Sequence, residues 1–221
     1  MSVEVQPTSH VVVRAPRRTP IHEIEHFLRL KGPWIAKRVR DAKARRDSIP
    51  QRTEPHNVYH RGEVLSWGWK NADVVVPQRH STHQAALRWV ERWQRSEAVS
   101  LFTQHINANL PKIGLHALRY QGLKLRRMRR RWGSCTSTGV VTLNEHLIRV
   151  PEACIRSVIV HEICHLAHLH HGPAFHALVA DVFPDHLIAD TVLDVWTSVL
   201  YAEEATTPNM AQGLVERRIL R

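Results

Sequence analysis

Cysteine is scarce. The 221 residues hold only Cys135, Cys154 and Cys164, too few and too odd in number for a disulfide framework. Long apolar runs are missing, and no stretch reaches the ~18 to 20 residues of a membrane span. The opening MSVEVQPTSH has neither the basic start nor the apolar stretch of a secretory leader. No glycine-rich phosphate loop, internal repeat or low-complexity segment occurs. A cytoplasmic, reducing setting without membrane attachment is therefore expected. Hydrophobic residues make up 43% of the chain, enough to bury a core and to exclude wholesale disorder.

Acidic residues are also in deficit, with 20 against 31 lysines and arginines, for a formal charge of +11. A basic surface attracts nucleic acid, nucleotide phosphates or other acidic partners, although such charge is often only a solvated face. Histidine is the residue in excess. Of 17 histidines, seven (His161, His165, His168, His170, His171, His176 and His186) lie between positions 161 and 186. An even spread would put about two there, so the cluster asks for a chemical explanation.

Along the chain, HVVVR (10–14) predicts a strand. Thr19-Pro20 then opens a helical pattern that runs to about Val39, and Gly32-Pro33 is expected to divide it into two helices. The charged stretch 41–57 is read as a surface linker, followed by a β-rich region from Val58 to Val76. A long amphipathic helix is predicted over 82–109, with Trp89 and Trp93 four apart. Strands are expected near Leu118–Tyr120, at Leu123–Met128 and at Val140–Leu143, with RRRWGSCTSTG (129–139) as a turn-rich loop. A helix over 152–170 is apolar around most of its girth and should be buried. Two further helices, about 174–183 and 185–201, part at Pro184. The domain plan is a strand, helix and β-rich segment over 1–80, a catalytic domain over 81–202 that packs with it as one globular unit, and a polar tail over 203–221.

His161-Glu162-Ile163-Cys164-His165 forms an H-E-x-x-H pattern. Residues four apart on a helix face the same way, so two imidazoles can reach one metal ion, with Glu162 beside them as a base for a water. In a chain this rich in histidine, chance alone predicts about 0.08 such motifs. The burial expected for the helix strengthens the case, because buried ionisable groups need partners. A catalytic zinc generally takes three protein ligands and keeps one position open. Spacing leaves several candidates for the third ligand. His168 shares the face if the helix stays straight, His171 if the chain bends before Gly172-Pro173, and Asp181 or Asp185 offers a carboxylate scheme. The helix-ending signal favours His171. Cys164 is read as a small buried residue, and His170 and His176 as packing or surface groups.

The run RRRWGSCTSTGVVTLNEHLIRVPEACIRSVIVHEICHLAHLHHGPAF (129–175) resembles the YgjP-like metallopeptidase domain, a zincin-type family related by motif to SprT-like and Spartan-type proteases. The resemblance rests on Trp132-Gly133-Ser134-Cys135, Leu143-Asn144, Pro151, His161-Glu162, Cys164-His165-Leu166, His171 and Phe175. Ile163, His170 and Gly172 depart from the usual leucine, asparagine and serine. Upstream the match is weaker, and the N-terminus looks one hairpin strand short. The resemblance implies a small α+β zincin-like fold, with a twisted sheet on one side of the active-site helix and further helices on the other. It implies one zinc per chain held by His161, His165 and His171, and metal-dependent hydrolysis with Glu162 as catalytic base. Peptides or proteins are the substrates it favours. Nucleoside triphosphates such as uridine triphosphate are an alternative, because similar proteins have been described as nucleotide hydrolases.

Arg131, Trp132 and Ser134 are the candidate substrate contacts, if their loop lines the cleft. Six cationic residues occur between Lys124 and Arg131. They could cradle phosphate or hold a nucleic-acid strand beside Trp132, which makes a nucleic-acid-associated protease or binding protein a third possibility. In an extended strand Leu123 and Leu125 share one face. Arg126 and Arg130 then face solvent, while Arg129 and Arg131 point inward or across the cleft.

Overall fold

The computed structural model describes residues 1–6, 9–128 and 131–206, with the side chains of 201–206 left out. The expectations for Arg129, Arg130 and the basic end of the tail lie outside these residues. The fold is α+β, as expected. Among the described residues there are two compact units, one holding Met1–Pro50 and residues 192–206, the other Gln51–Thr191.

In the first unit, β1 (Ser2–Val5) pairs antiparallel with β2 (Val11–Arg14). A hairpin is thus present where the sequence looked a strand short. Arg14 reaches back across it to Glu4 at 2.6 Å. Helix α1 (Ile21–Asp47) is continuous and buries none of its residues. This corrects two expectations, the break at Gly32-Pro33 and the linker from 41. Pro33 removes one backbone donor, but the carbonyl it deprives belongs to exposed Arg29, where water can replace the bond.

The second unit begins with β3 (Asn57–His60), β4 (Glu63–Gly68) and the short β5 (Val74–Val75). β3 and β4 are antiparallel, whereas β5 runs parallel to β4. Arg61 and Gly62 both have positive φ (51° and 87°), the backbone that a two-residue hairpin turn demands. Their N–H groups donate to the Ile148 and Arg149 carbonyls at 2.7 and 3.2 Å. The Arg61 guanidinium also pairs with Glu152, whose other carboxylate oxygen lies 3.1 Å from His105 Nε2.

Helix α2 (His83–Asn109) is N-capped by the Thr82 hydroxyl, which accepts from the Ala85 N–H. It buries Ala86, Val90, Ala98, Phe102 and Ile106. Ala86 and Val90 pack in one cluster with Trp67, Val74 and Val76, with Trp89 and Trp93 at its edge. These tryptophans are packing residues. Two 3₁₀ turns follow over Leu110–Arg119, joined at Gly114 (φ 60°). They replace the strand expected at Leu118–Tyr120, because Pro111 at the start and the left-handed Gly114 favour short turns over an extended chain.

The site rests on a three-stranded sheet of order β6 (Gly122–Arg126), β8 (Val140–Asn144), β7 (Gly133–Cys135). β8 is central, parallel to β6 and antiparallel to β7, with Gly133 opposite Leu143. β7 lies within the segment expected to be a loop. Its three residues are too few to show alternation, and the pairing with β8 decides their conformation. Val141 and Leu143 are fully buried on one face of β8.

A 3₁₀ turn at Glu145–Arg149 leads through Pro151 into α3 (Glu152–Cys164). This helix buries Ile155, Val158, Ile159, Val160 and Ile163. It is shorter than expected, because the chain leaves the α-helix after Cys164. α4 (Pro173–Val182) and α5 (His186–Thr206) follow. The start of α5 is tied to α3 by Ser157, whose hydroxyl donates to Asp190 at 2.7 Å. Among the described residues, no helix is long and apolar enough to cross a membrane.

Candidate metal centre

Why α3 stops where it does decides which histidines meet. The Leu166 and Ala167 N–H groups donate to the Ile163 and Cys164 carbonyls at 2.9 and 3.0 Å, three-residue bonds that tighten the last turn. Arg119 donates to the Leu166 carbonyl at 2.7 Å and to the Ser137 carbonyl at 3.3 Å. It thereby ties the end of α3 to the turn between β7 and β8. The chain then reverses before Gly172-Pro173 opens α4.

The reversal returns His171 to the face that α3 presents through His161 and His165. The His171 Nε2 lies 3.0 Å from His161 Nε2 and 3.1 Å from His165 Nε2. Among the described residues, these are the three that gather metal-binding atoms, all within 4.8 Å of one another. His168 is not among them. Its carbonyl faces His165 Nδ1 at 2.9 Å, and its ring lies 6.3 Å from that of His116. Asp181 and Asp185 are exposed and outside the cluster. The spacing His22-Glu23-Ile24-Glu25-His26 repeats the same five-residue pattern on exposed α1. No third donor joins it among the described residues.

Hydrogen bonding fixes the chemistry of the cluster. A carbonyl can only accept, so His165 Nδ1 carries the proton and its Nε2 presents a lone pair toward His171. Burial, followed by the neighbouring imidazoles of His165 and His171, pushes His161 down to about 3. Burial lowers His165 too. Both rings are thus neutral at pH 7, the form in which imidazole binds a metal. Phe175 of α4 is 1% exposed and lies against all three rings. It stacks on His165 at 4.6 Å and meets His161 and His171 edge-on, each at 4.9 Å.

Glu162 is 2% exposed, and burial pushes its carboxyl up to about 8, against the opposing pull of Arg131. The W-G-S-C segment lies directly against it. A Cβ on Gly133 would stand 2.5 Å from Glu162 Oε1. The Glu162 charge is also felt at Cys135, whose thiol is driven up to about 11, chiefly by burial. Arg131 is exposed, and Ser134 half-buried. Trp132 is only 8% exposed, and its carbonyl accepts from the Asn144 N–H at 2.8 Å. The Asn144 side-chain amide donates to the Met128 and Arg131 carbonyls at 2.7 and 3.3 Å, while its oxygen accepts from the His146 N–H at 3.2 Å. Cys164 is buried, with its thiol raised to about 12 by that burial, and stands outside the donor cluster.

In β6 the half-buried Leu123 and Leu125 alternate with exposed Lys124 and Arg126, in the expected register. Arg127 turns instead to Glu145 at 2.8 Å and Glu91 at 3.8 Å, and Arg95 pairs with the same Glu145. Arg119 and this ion-pair group escaped the sequence reading. Arg119 lay in a segment read as a strand, and nothing local marks an arginine that reaches a carbonyl 47 residues away.

An α+β fold with three imidazoles and a buried glutamate on one helix end belongs to the metal-dependent hydrolases. The sequence pattern of the YgjP-like, metallopeptidase domain family matches residues 1–195, and the chain belongs to that family. A search of curated proteins finds no match. Among solved structures, the metallopeptidase zymogen of Pyrococcus abyssi abylysin is similar at 18% identity and a TM-score of 0.38, over 45% of this chain and 95% of that one.

Proposed function

We propose that the protein is a zinc metallopeptidase in which His161, His165 and His171 hold the metal and Glu162 is the catalytic base. The convergence of three ring nitrogens carries this reading. Lone pairs brought within 3.0 and 3.1 Å of one another repel unless a proton or cation lies between them. The donor set therefore fits a divalent ion, and three imidazoles suit zinc. When bound, zinc supplies a Lewis acid that acidifies a water and polarises the scissile carbonyl.

The protein's own residues do the rest. Glu162, kept ionised against its burial by the charge of a bound cation, accepts a proton from the attacking water at its carboxylate and delivers it to the leaving amine. The hydrogen bond from His165 Nδ1 to the His168 carbonyl holds that ring in the ligating tautomer. Phe175 fixes the orientation of all three rings. Arg131 would stabilise negative charge that develops on the substrate, a role supported by its effect on the neighbouring Glu162. Hydrolysis of a nucleoside triphosphate has less to rest on, because Arg127 of the basic run is engaged by Glu145 and Glu91.

Two experiments test the proposal. Metal analysis should show about one zinc per chain, lost in His171→Ala and kept in His168→Ala. The reverse pattern refutes the ligand set. Metal-replete protein should then cleave casein or peptides in preference to nucleoside triphosphates. Glu162→Gln should keep its zinc and lose ~10² to 10⁴ in rate. A metal-replete, fully active Glu162→Gln rules out the base.

A further inference from the structure

Gly133 has an ordinary backbone, since its φ lies outside the left-handed region that requires glycine. Space is what demands glycine here. A Cβ built on Gly133 falls 2.5 Å from Oε1, 2.6 Å from Cγ and 2.8 Å from Cδ of Glu162, all inside the 3.0 Å that real Cβ atoms respect. The backbone of β7 is thus the wall against which the Glu162 side chain lies.

Neither backbone can retreat. Gly133 is paired with Leu143 of β8, and the residue before it is held by the Asn144 N–H at 2.8 Å. The Asn144 amide also grips the Arg131 carbonyl. On the other side, Glu162 belongs to a helix whose Ile159 and Ile163 are fully buried. Only the Glu162 side chain is free to yield, and at 2% exposure it must be displaced from its present place. We propose that Gly133 is the positioning residue for Glu162, its missing side chain allowing β7 to fix where the carboxylate stands.

This rests on Glu162 being the base, so the experiment separates the two claims. Gly133→Ala should keep its zinc and a KM near that of the parent. Its kcat should fall on the order of 10²-fold, the cost of a misplacement of about 1 Å. In the Glu162→Gln background the same substitution should cost nothing more. A second arm needs no activity. In metal-free protein, Gly133→Ala should lower the urea midpoint, and Gly133→Ala with Glu162→Ala should match Glu162→Ala alone. That double variant also decides the matter if Gly133→Ala fails to fold, because removing the side chain it strikes should restore folding.

The proposal is overturned if Gly133→Ala stays within about twofold of the parent in kcat. It is equally overturned if the double variant remains as destabilised, relative to Glu162→Ala, as Gly133→Ala is relative to the parent. A fully active Glu162→Gln would instead remove the base assignment, while the stability arm would still read the collision.

Discussion

Asn144 gives the sharpest test of how the sheet supports the site. It is 1% exposed, and its side chain makes three hydrogen bonds: to the Met128 carbonyl at 2.7 Å, to the Arg131 carbonyl at 3.3 Å and from the His146 N–H at 3.2 Å. Asn144→Ala removes all three and leaves their backbone partners behind. At about 0.5 to 1.5 kcal/mol for each net bond, the loss should be about 2 to 4 kcal/mol. For a domain of this size that lowers Tm by roughly 5 to 15 °C. Metal-free protein in a thermal scan isolates this effect from metal binding. Asn144→Asp sharpens the test. It is nearly isosteric and can still accept from His146, but it turns a carboxylate oxygen toward two carbonyl oxygens that need a donor. It should therefore be at least as unstable as Asn144→Ala at pH 7. An Asn144→Asp variant as stable as the parent would refute the amide's role as the tie between β8 and the Trp132 segment.

Two other perturbations have determined directions. Burial, reinforced by Arg149 and Arg127 and opposed by Glu145, lowers His146 from 6.5 to about 3. The fold therefore refuses a proton that the unfolded chain accepts, and stability is complete above pH 6.5 and lost as pH falls toward 3, by at most ~1.4 kcal/mol per pH unit. Urea unfolding at pH 7, 6 and 5 should show a shallower decline in His146→Gln, and equal slopes would refute the assignment. At Gly139 the φ of 89° and a Cβ only 1.7 Å from the Arg119 carbonyl oxygen predict that alanine costs more than ~3 kcal/mol, measurable as a fall in denaturant midpoint.

The candidate centre was more legible than its supports. His161, Glu162 and His165 follow from helical spacing on a stretch apolar enough to be buried, and Gly172-Pro173 announces the bend that brings His171 back. α2 and β8 were also clear, because each has a long enough run of its own period. The failures share a cause. Pro33 signals a break, but that signal assumes the lost hydrogen bond matters, and on a helix with no buried residue it does not. β7 carries three residues whose extended form comes from β8, a partner that sequence periodicity cannot show. The 3₁₀ turns before β6 place Arg119 by tertiary contact with the end of α3. Where structure is imposed by distant partners, local propensity is a weak guide.

The two H-E-x-x-H stretches make the same point within a single pattern. At His22 and His26 the spacing is satisfied on a 27-residue helix that runs on, exposed, for some twenty residues past the second histidine. Among the described residues, nothing returns a third donor to that face. At His161 and His165 the helix is buried almost all round and ends at Cys164, so the second histidine is the C-cap and the chain turns back at once. Burial strips the imidazoles of protons, the helix end supplies the third one, and β7 closes over the glutamate between them. The five-residue spacing is common to both stretches, and the difference lies in what surrounds it. The tightened last turn, the Arg119 clamp on the Leu166 carbonyl and the bare Cα of Gly133 convert a helical repeat into a candidate hydrolytic centre.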